Sequence, residues 1–225
     1  MVDAAVIFDV DGVLLDLTIE EEDAFFWAFA KLHNLTGLSR DWDSYRIRND
    51  EDIITEILEN HLGRTPSRHE HKAIIQTYLS HLANGIDVKT LTPSPIAGAS
   101  DLLEHLDGKA KLGIATANLL EAASVRLAAC GIWEPLKDHA FGANGGGAKR
   151  SILACAMASL NLPRDRIVFI GDNLNDVEAG LANGVHFIGF SQDQAKCRRL
   201  AEAGAQRVCN RHQDTLKHIE DALHL

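Results

Sequence analysis

Four short, uninterrupted apolar runs punctuate this chain: Ala4–Phe8 (AAVIF), Lys111–Ala115 (KLGIA), Arg166–Ile170 (RIVFI) and His186–Gly189 (HFIG). Runs of this length without polar alternation predict strands buried on both faces of a parallel sheet. Helical patterns occupy the intervals at Leu119–Cys130, Lys149–Leu160 and Asp176–Ala182. Strand alternating with helix predicts an α/β fold with a mostly parallel sheet.

The first two runs are about a hundred residues apart, far more than one crossover helix needs. The interval carries no comparable strand and reads as helices: Ile19–His33, Trp42–Tyr45 leading towards Asp52–His61, and Pro66–Ala83. Glu20, Glu21, Glu22 and Asp23 favour a helix N-terminus, and Thr65-Pro66 has the form of an N-cap followed by the first helical residue. Thr92-Pro93-Ser94-Pro95 is stiff and extended, a linker back to the core. The expected organisation is a core from residues 1–16 and 95–225, with a helical insertion at 17–94. Asp16, past Gly12 on the way into the insertion, reads as a turn or cap residue.

Charge narrows the function. The 225 residues carry 22 basic and 32 acidic side chains, a net charge of -10, which disfavours nucleic acid and anionic lipid as partners. A small anionic substrate stays open, because a bound cation can reverse the potential inside one cleft. Cysteines 130, 155, 197 and 209 have no CxxC spacing and predict neither a disulfide framework nor a zinc site. The N-terminus lacks the basic start of a signal peptide. No apolar run approaches the ~18 residues that span a bilayer. The expected location is cytoplasmic.

Asp9-Val10-Asp11-Gly12 follows the first apolar run directly. In an open parallel sheet ligands bind at the carboxyl ends of the strands, which places both aspartates at the expected cleft. Gly171-Asp172-Asn173-Leu174-Asn175-Asp176 follows RIVFI in the same manner, Thr116 ends KLGIA with Ala117 and Asn118 behind it, and Lys149 opens a helix after Gly145-Gly146-Gly147. Carboxylates from two strand ends can hold Mg2+ while leaving room for water and phosphate. A hydroxyl and helix-start N–H groups can bind phosphoryl oxygens, and a lysine can neutralise charge on the phosphate and its nucleophile. Each part alone has an ordinary structural reading, as turn aspartates, a threonine cap or a solvated lysine; the ordered set points to phosphoryl transfer.

These motifs resemble those of the haloacid dehalogenase superfamily, in its branch with a helical cap after the first strand. DVDGVLLD at 9–16, ATAN at 115–118, Lys149 and GDNLNDVEAG at 171–180 are similar to its four motifs in order. The resemblance implies a Rossmann-like core and hydrolysis of a small phosphate monoester. It implies Asp9 as nucleophile, Asp11 as general acid and base, and Mg2+ on Asp9, Asp172 and the Asp11 carbonyl. Asp176 would assist the metal shell or orient Lys149, while Thr116, Ala117 and Asn118 would hold the phosphoryl group. Lysine at the third motif is often followed by proline; Arg150 stands here, and is the alternative should Lys149 not face the site. Asp11 suits a leaving alkoxide that needs a proton, unlike the halide of a dehalogenase.

A phosphomutase would share every one of these residues and differ in the cap. A phosphoacceptor module orders its acidic residues and lysine differently and has no room for the insertion, and a non-catalytic binding protein would not need the full charged set. In the insertion, Arg46 and Arg48 are expected to reach an anionic part of the substrate, guanidinium groups being suited to carboxylate or phosphate; the alternative is an exposed loop with Arg48 paired to Asp50 or Glu51. Phe25, Phe26, Trp27 and Phe29 read as packing within the cap, and the glycine run as a flexible approach to Lys149.

Overall fold

The computed structural model describes residues 2–225. Six parallel strands form the main sheet in the order β5-β4-β1-β6-β7-β8: β1 is Ala5–Phe8, β4 Lys111–Ala115, β5 Ala140–Phe141, β6 Ile167–Gly171, β7 His186–Phe190 and β8 Arg207–Cys209. The fold is α/β and Rossmann-like, as the alternation of strand and helix predicts. The short strands β5 and β8, two and three residues long, carry too little apolar run to be read from sequence.

Period-two side chains on buried strands feed two cores. Val6 and Phe8 of β1 face helices α4 (Ala99–Leu106), α5 (Leu120–Ala129) and α9 (His212–Leu223). Ala5 and Ile7 face α6 (Lys149–Leu160), α7 (Leu174–Asn183) and α8 (Gln194–Glu202). Phe8 is in register with both Ile114 and Ile170, so β4, β1 and β6 end level with one another. From β1 the chain returns first to β4 on one side and later to β6 on the other. The crevice at such a reversal of strand order is where open α/β sheets bind ligands.

The segment between β1 and β4 holds α1 (Ile19–His33), α2 (Asp50–Leu62) and α3 (Arg68–Asp87). Phe25, Phe29, Ile54, Leu58, Ile74 and Leu82 form their own cluster, with Leu119 and Ala122 of the core buried against it. The chain enters and leaves through a two-stranded antiparallel pair, β2 (Leu15–Asp16) and β3 (Ser94–Pro95). Asp16 is therefore a strand residue paired with Ser94, because the extended Pro93–Pro95 linker supplies it with a partner. The cap of α3 also differs from the expectation at Thr65-Pro66. Ser67 takes that position, because Glu70 three residues on completes a reciprocal capping box with it.

Candidate active site

Asp9 leaves the end of β1 with its N–H donating to Ile170 O at 2.9 Å, which locks it beside β6. Asp172 follows β6, and Asp176 sits in the first turn of α7, where its Oδ2 accepts the N–H of Asp172 at 3.1 Å and of Asn173 at 3.0 Å. Lys149 Nζ lies 2.8 Å from both Asp9 Oδ2 and Asp176 Oδ1. One carboxylate oxygen from each of Asp9, Asp172 and Asp176 lies within 4.8 Å of the others. Gly12 allows this closeness. Its φ is +77°, and a Cβ there would stand 2.0 Å from Asp172 Oδ2.

All four side chains are buried, and burial acts on the proton affinities of Asp9, Asp172 and Lys149. Burial pushes the Asp9 carboxyl up to about 6 against the pull of Lys149. Burial, then the charge of Asp9, raises Asp172. Burial works against the Lys149 ammonium, but Asp176 and Asp9 outweigh it and carry it up to about 12. Lys149 is thus a fixed cation. The fallback Arg150 is exposed, with its backbone carbonyl accepting from Asn183.

Thr116 follows β4, its N–H bonded to Phe141 O at 3.0 Å and its hydroxyl donating to Asn118 Oδ1 at 3.0 Å. Among the described residues the Ala117 N–H has no protein acceptor, while its carbonyl accepts the Asp50 N–H at 3.0 Å. Asn118 N–H donates to Thr116 Oγ1 at 3.2 Å. These groups line one cavity of about 340 Å3 with Asp9, Asp11 and Asp172, between the sheet ends and α1–α3.

Five charged residues in this cavity were not assigned to the site by sequence reasoning: Arg126, Glu21, Glu22, Asp50 and Lys196. Arg126, on α5, is 2% exposed and lies 2.7 Å from both Asp11 Oδ1 and Glu21 Oε1. A legible signal existed: Arg126 shares a helical face with the buried Ala122 and Ala123. Glu21 precedes Phe25 by one turn on the buried side of α1, and also caps that helix by accepting the Thr18 N–H at 3.0 Å. Asp50 accepts the Leu119 N–H at 2.8 Å across a separation of 69 residues, which no local pattern announces. Lys196, on α8, contacts Asp172 Oδ2.

The two insertion arginines part company. Arg48 lines the cavity and pairs with Asp43 at 3.1 Å, not with Asp50 or Glu51. Arg46 does not line it; its side chain is 68% exposed and bonded to Glu59 at 2.6 Å. Gly145–Gly147 approach Lys149 with three positive φ angles, and they also dock the insertion: Gly145 N–H donates to Glu51 Oε2 at 2.9 Å and Gly147 N–H to Asp52 Oδ2 at 2.8 Å. Asn49 Nδ2 donates to Gly147 O at 2.9 Å from the other side.

Residues 6–190 match the haloacid dehalogenase-like hydrolase family, and the chain belongs to it. Solved structures agree over full length. CbbY from Rhodobacter sphaeroides, in complex with phosphate, is 20% identical, covers 100% of both chains and has a TM-score of 0.73. A predicted phosphatase from Clostridium acetobutylicum is 21% identical over 98% of this chain and 100% of its own, TM-score 0.71. A predicted phosphoglycolate phosphatase from Haemophilus somnus is 15% identical over 96% and 97%, TM-score 0.71. At these identities the likeness is one of fold. No curated protein sequence matches the chain. Among the described residues no helix is long and apolar enough to cross a membrane.

Proposed function

We propose that the chain is a magnesium-dependent phosphohydrolase of small phosphate monoesters, with residues 17–94 serving as a cap over the site. The observation that carries this reading is the meeting of Asp9, Asp172 and Asp176 within 4.8 Å beside the buried Lys149. An all-oxygen donor set without nitrogen or sulfur suits a hard divalent cation. Asp9, Asp172 and the Asp11 carbonyl would hold Mg2+. Asp176 already directs one oxygen to Lys149 and the other to two backbone N–H groups, which favours orienting the lysine over direct ligation. When bound, the metal would offset repulsion between the Asp9 carboxylate and the phosphate dianion.

In this reading Asp9 attacks phosphorus in line, the bond from phosphorus to the ester oxygen breaks, and Asp11 gives its proton to the departing alkoxide. Asp11 then takes a proton from the water that attacks the acyl phosphate, releasing inorganic phosphate and restoring Asp9. Arg126 contacts Asp11 Oδ1; among the described residues Oδ2 has no partner and is the oxygen suited to carry the proton. Lys149 holds positive charge against the nucleophile throughout. Thr116, Asn118 and the free Ala117 N–H are placed to receive phosphoryl oxygens.

Phosphate release from p-nitrophenyl phosphate, with Mg2+ and with chelator, tests this. The parent is expected to turn over only with metal, and the nearly isosteric Asp9→Asn not at all, with its circular dichroism unchanged. Turnover by Asp9→Asn, or in chelator, would overturn the assignment.

A further inference from the structure

Away from Lys149, the cavity passes under α1 and α2, where Asp11, Glu21 and Asp50 face a single guanidinium, that of Arg126. Glu21 and Arg126 are each 2% exposed and Asp50 8%. Arg126 is already committed to Asp11 and Glu21, both at 2.7 Å. Asp50 directs Oδ2 to the Leu119 N–H; among the described residues its Oδ1 has no partner, and Asp50 lines the cavity. Glu22 lies on the same wall, its Oε1 accepting from Trp42 Nε1 at 2.9 Å and its Oε2 3.7 Å from the more exposed Arg40.

Leaving a carboxylate buried without a countercharge is costly. Burial, and beyond it the charge of Asp11, pushes the Asp50 carboxyl up to about 7 despite its bond from Leu119. The remaining cation on this wall, Arg48, is held by Asp43. Aromatic rings complete the wall: the Phe25 centroid is 5.3 Å from that of Tyr78 and 5.6 Å from that of Trp42. Carboxylates combined with aromatic faces form the surroundings that favour an organic cation.

We propose that this end of the cavity selects a positively charged leaving group, so that the substrate is the phosphate monoester of an amino alcohol, its ammonium seated against Asp50 and Glu22 beside the aromatic rings. The proposal rests on the phosphohydrolase reading and adds the substrate class to it. A second phosphate or a carboxylate in the same place would face Asp50 and Glu22, and would have to displace Asp43 from Arg48 to gain a guanidinium there.

The test compares kcat/KM for 2-aminoethyl phosphate, its neutral isostere n-propyl phosphate, and phosphoglycolate, with p-nitrophenyl phosphate as the general substrate. The aminoalkyl ester is expected to exceed the neutral one by about tenfold or more, and phosphoglycolate to be slowest. Because the two alcohols differ as leaving groups, the deciding quantity is how this ratio changes in Asp50→Asn. It should fall several-fold there, and Glu22→Gln, at a more open position, supplies the same readout should Asp50→Asn fail to fold. A ratio unmoved in the folded variants, or phosphoglycolate as the best of the three, overturns the proposal while leaving the hydrolase reading intact. No turnover of any ester, p-nitrophenyl phosphate included, brings down the hydrolase reading and this inference with it.

Discussion

At the sheet end of the cavity, Lys149 bridges Asp9 and Asp176 while Lys196 contacts Asp172. At the helical end, Arg126 pairs with Asp11 and Glu21, and its charge also reaches Asp50. Both ends bury acids in excess of bases, but they are built differently. The sheet-end aspartates sit on turns fixed by strands β1 and β6, which β-ladder bonds hold in register. The helical-end groups come from α1, α2, α5 and the loop after β1, and only tertiary packing brings them together. The sheet end is thus a rigid charge array suited to chemistry common to many phosphate esters. The helical end is built from helix surfaces that vary independently of the strands, and on the proposed reading it is this end that would discriminate between alcohols.

The largest effect should fall on stability at the helical end. Arg126→Ala strands the buried Glu21 and the half-buried Asp11, and removal of one partner from such a network costs about 3–5 kcal/mol, a Tm decrease of roughly 10 °C. Scanning calorimetry that finds the variant as stable as the parent would break the picture of Arg126 as the countercharge that this end depends on. At the sheet end, Lys149→Ala should reduce kcat on the order of 10²–10³-fold, to a similar degree for aryl and alkyl phosphates. A loss confined to alkyl phosphates would move Lys149 from the nucleophile to the leaving group.

Asp50 sharpens the comparison through pH. Its folded carboxyl is raised from 3.8 to about 7, so its stabilising contribution is complete below the unfolded value and is lost as pH rises through about 7. Asp50→Asn escapes that loss. Its Tm relative to the parent should therefore be more favourable at pH 8 than at pH 5, by an amount corresponding to on the order of 2 kcal/mol. Equal differences at both pH values would mean that Asp50 ionises without penalty in the folded chain. The smallest effect is expected where the insertion docks. Asn49→Ala removes the N-cap of α2, worth about 1 kcal/mol, and the bond to Gly147 O. Hydrogen exchange should rise at residues 49–53 and 145–147 together. Exchange that rises in the first segment alone would show that the glycine run is held without the insertion.

Most of the sheet end was legible beforehand because each of its residues adjoins a strand end or helix start whose apolar run announces it. Asp9, Thr116 and Asp172 are read from the runs before them, and Lys149 from the helix it opens. The helical end was not, since a charged residue on a helix ordinarily faces water, and nothing local marks Arg126, Glu21 and Asp50 as neighbours. Only the apolar face around Arg126 hinted at burial. The expectation that Arg46 reaches the cavity met the same limit: alternate residues of an extended loop can share a side, but Glu56 and Glu59 on α2 draw Arg46 outward while Arg48 remains on the wall.

The sequence by itself determined the parallel sheet, the long helical interruption and the order of the acidic and basic residues at the strand ends, because burial periodicity and turn chemistry act over a few residues. Tertiary structure alone decided which helical charges share the cavity and whether each finds a countercharge. Those pairings join positions as far apart as Glu21 and Arg126, and electrostatics between buried groups depends on distance and desolvation, which separation along the chain does not encode.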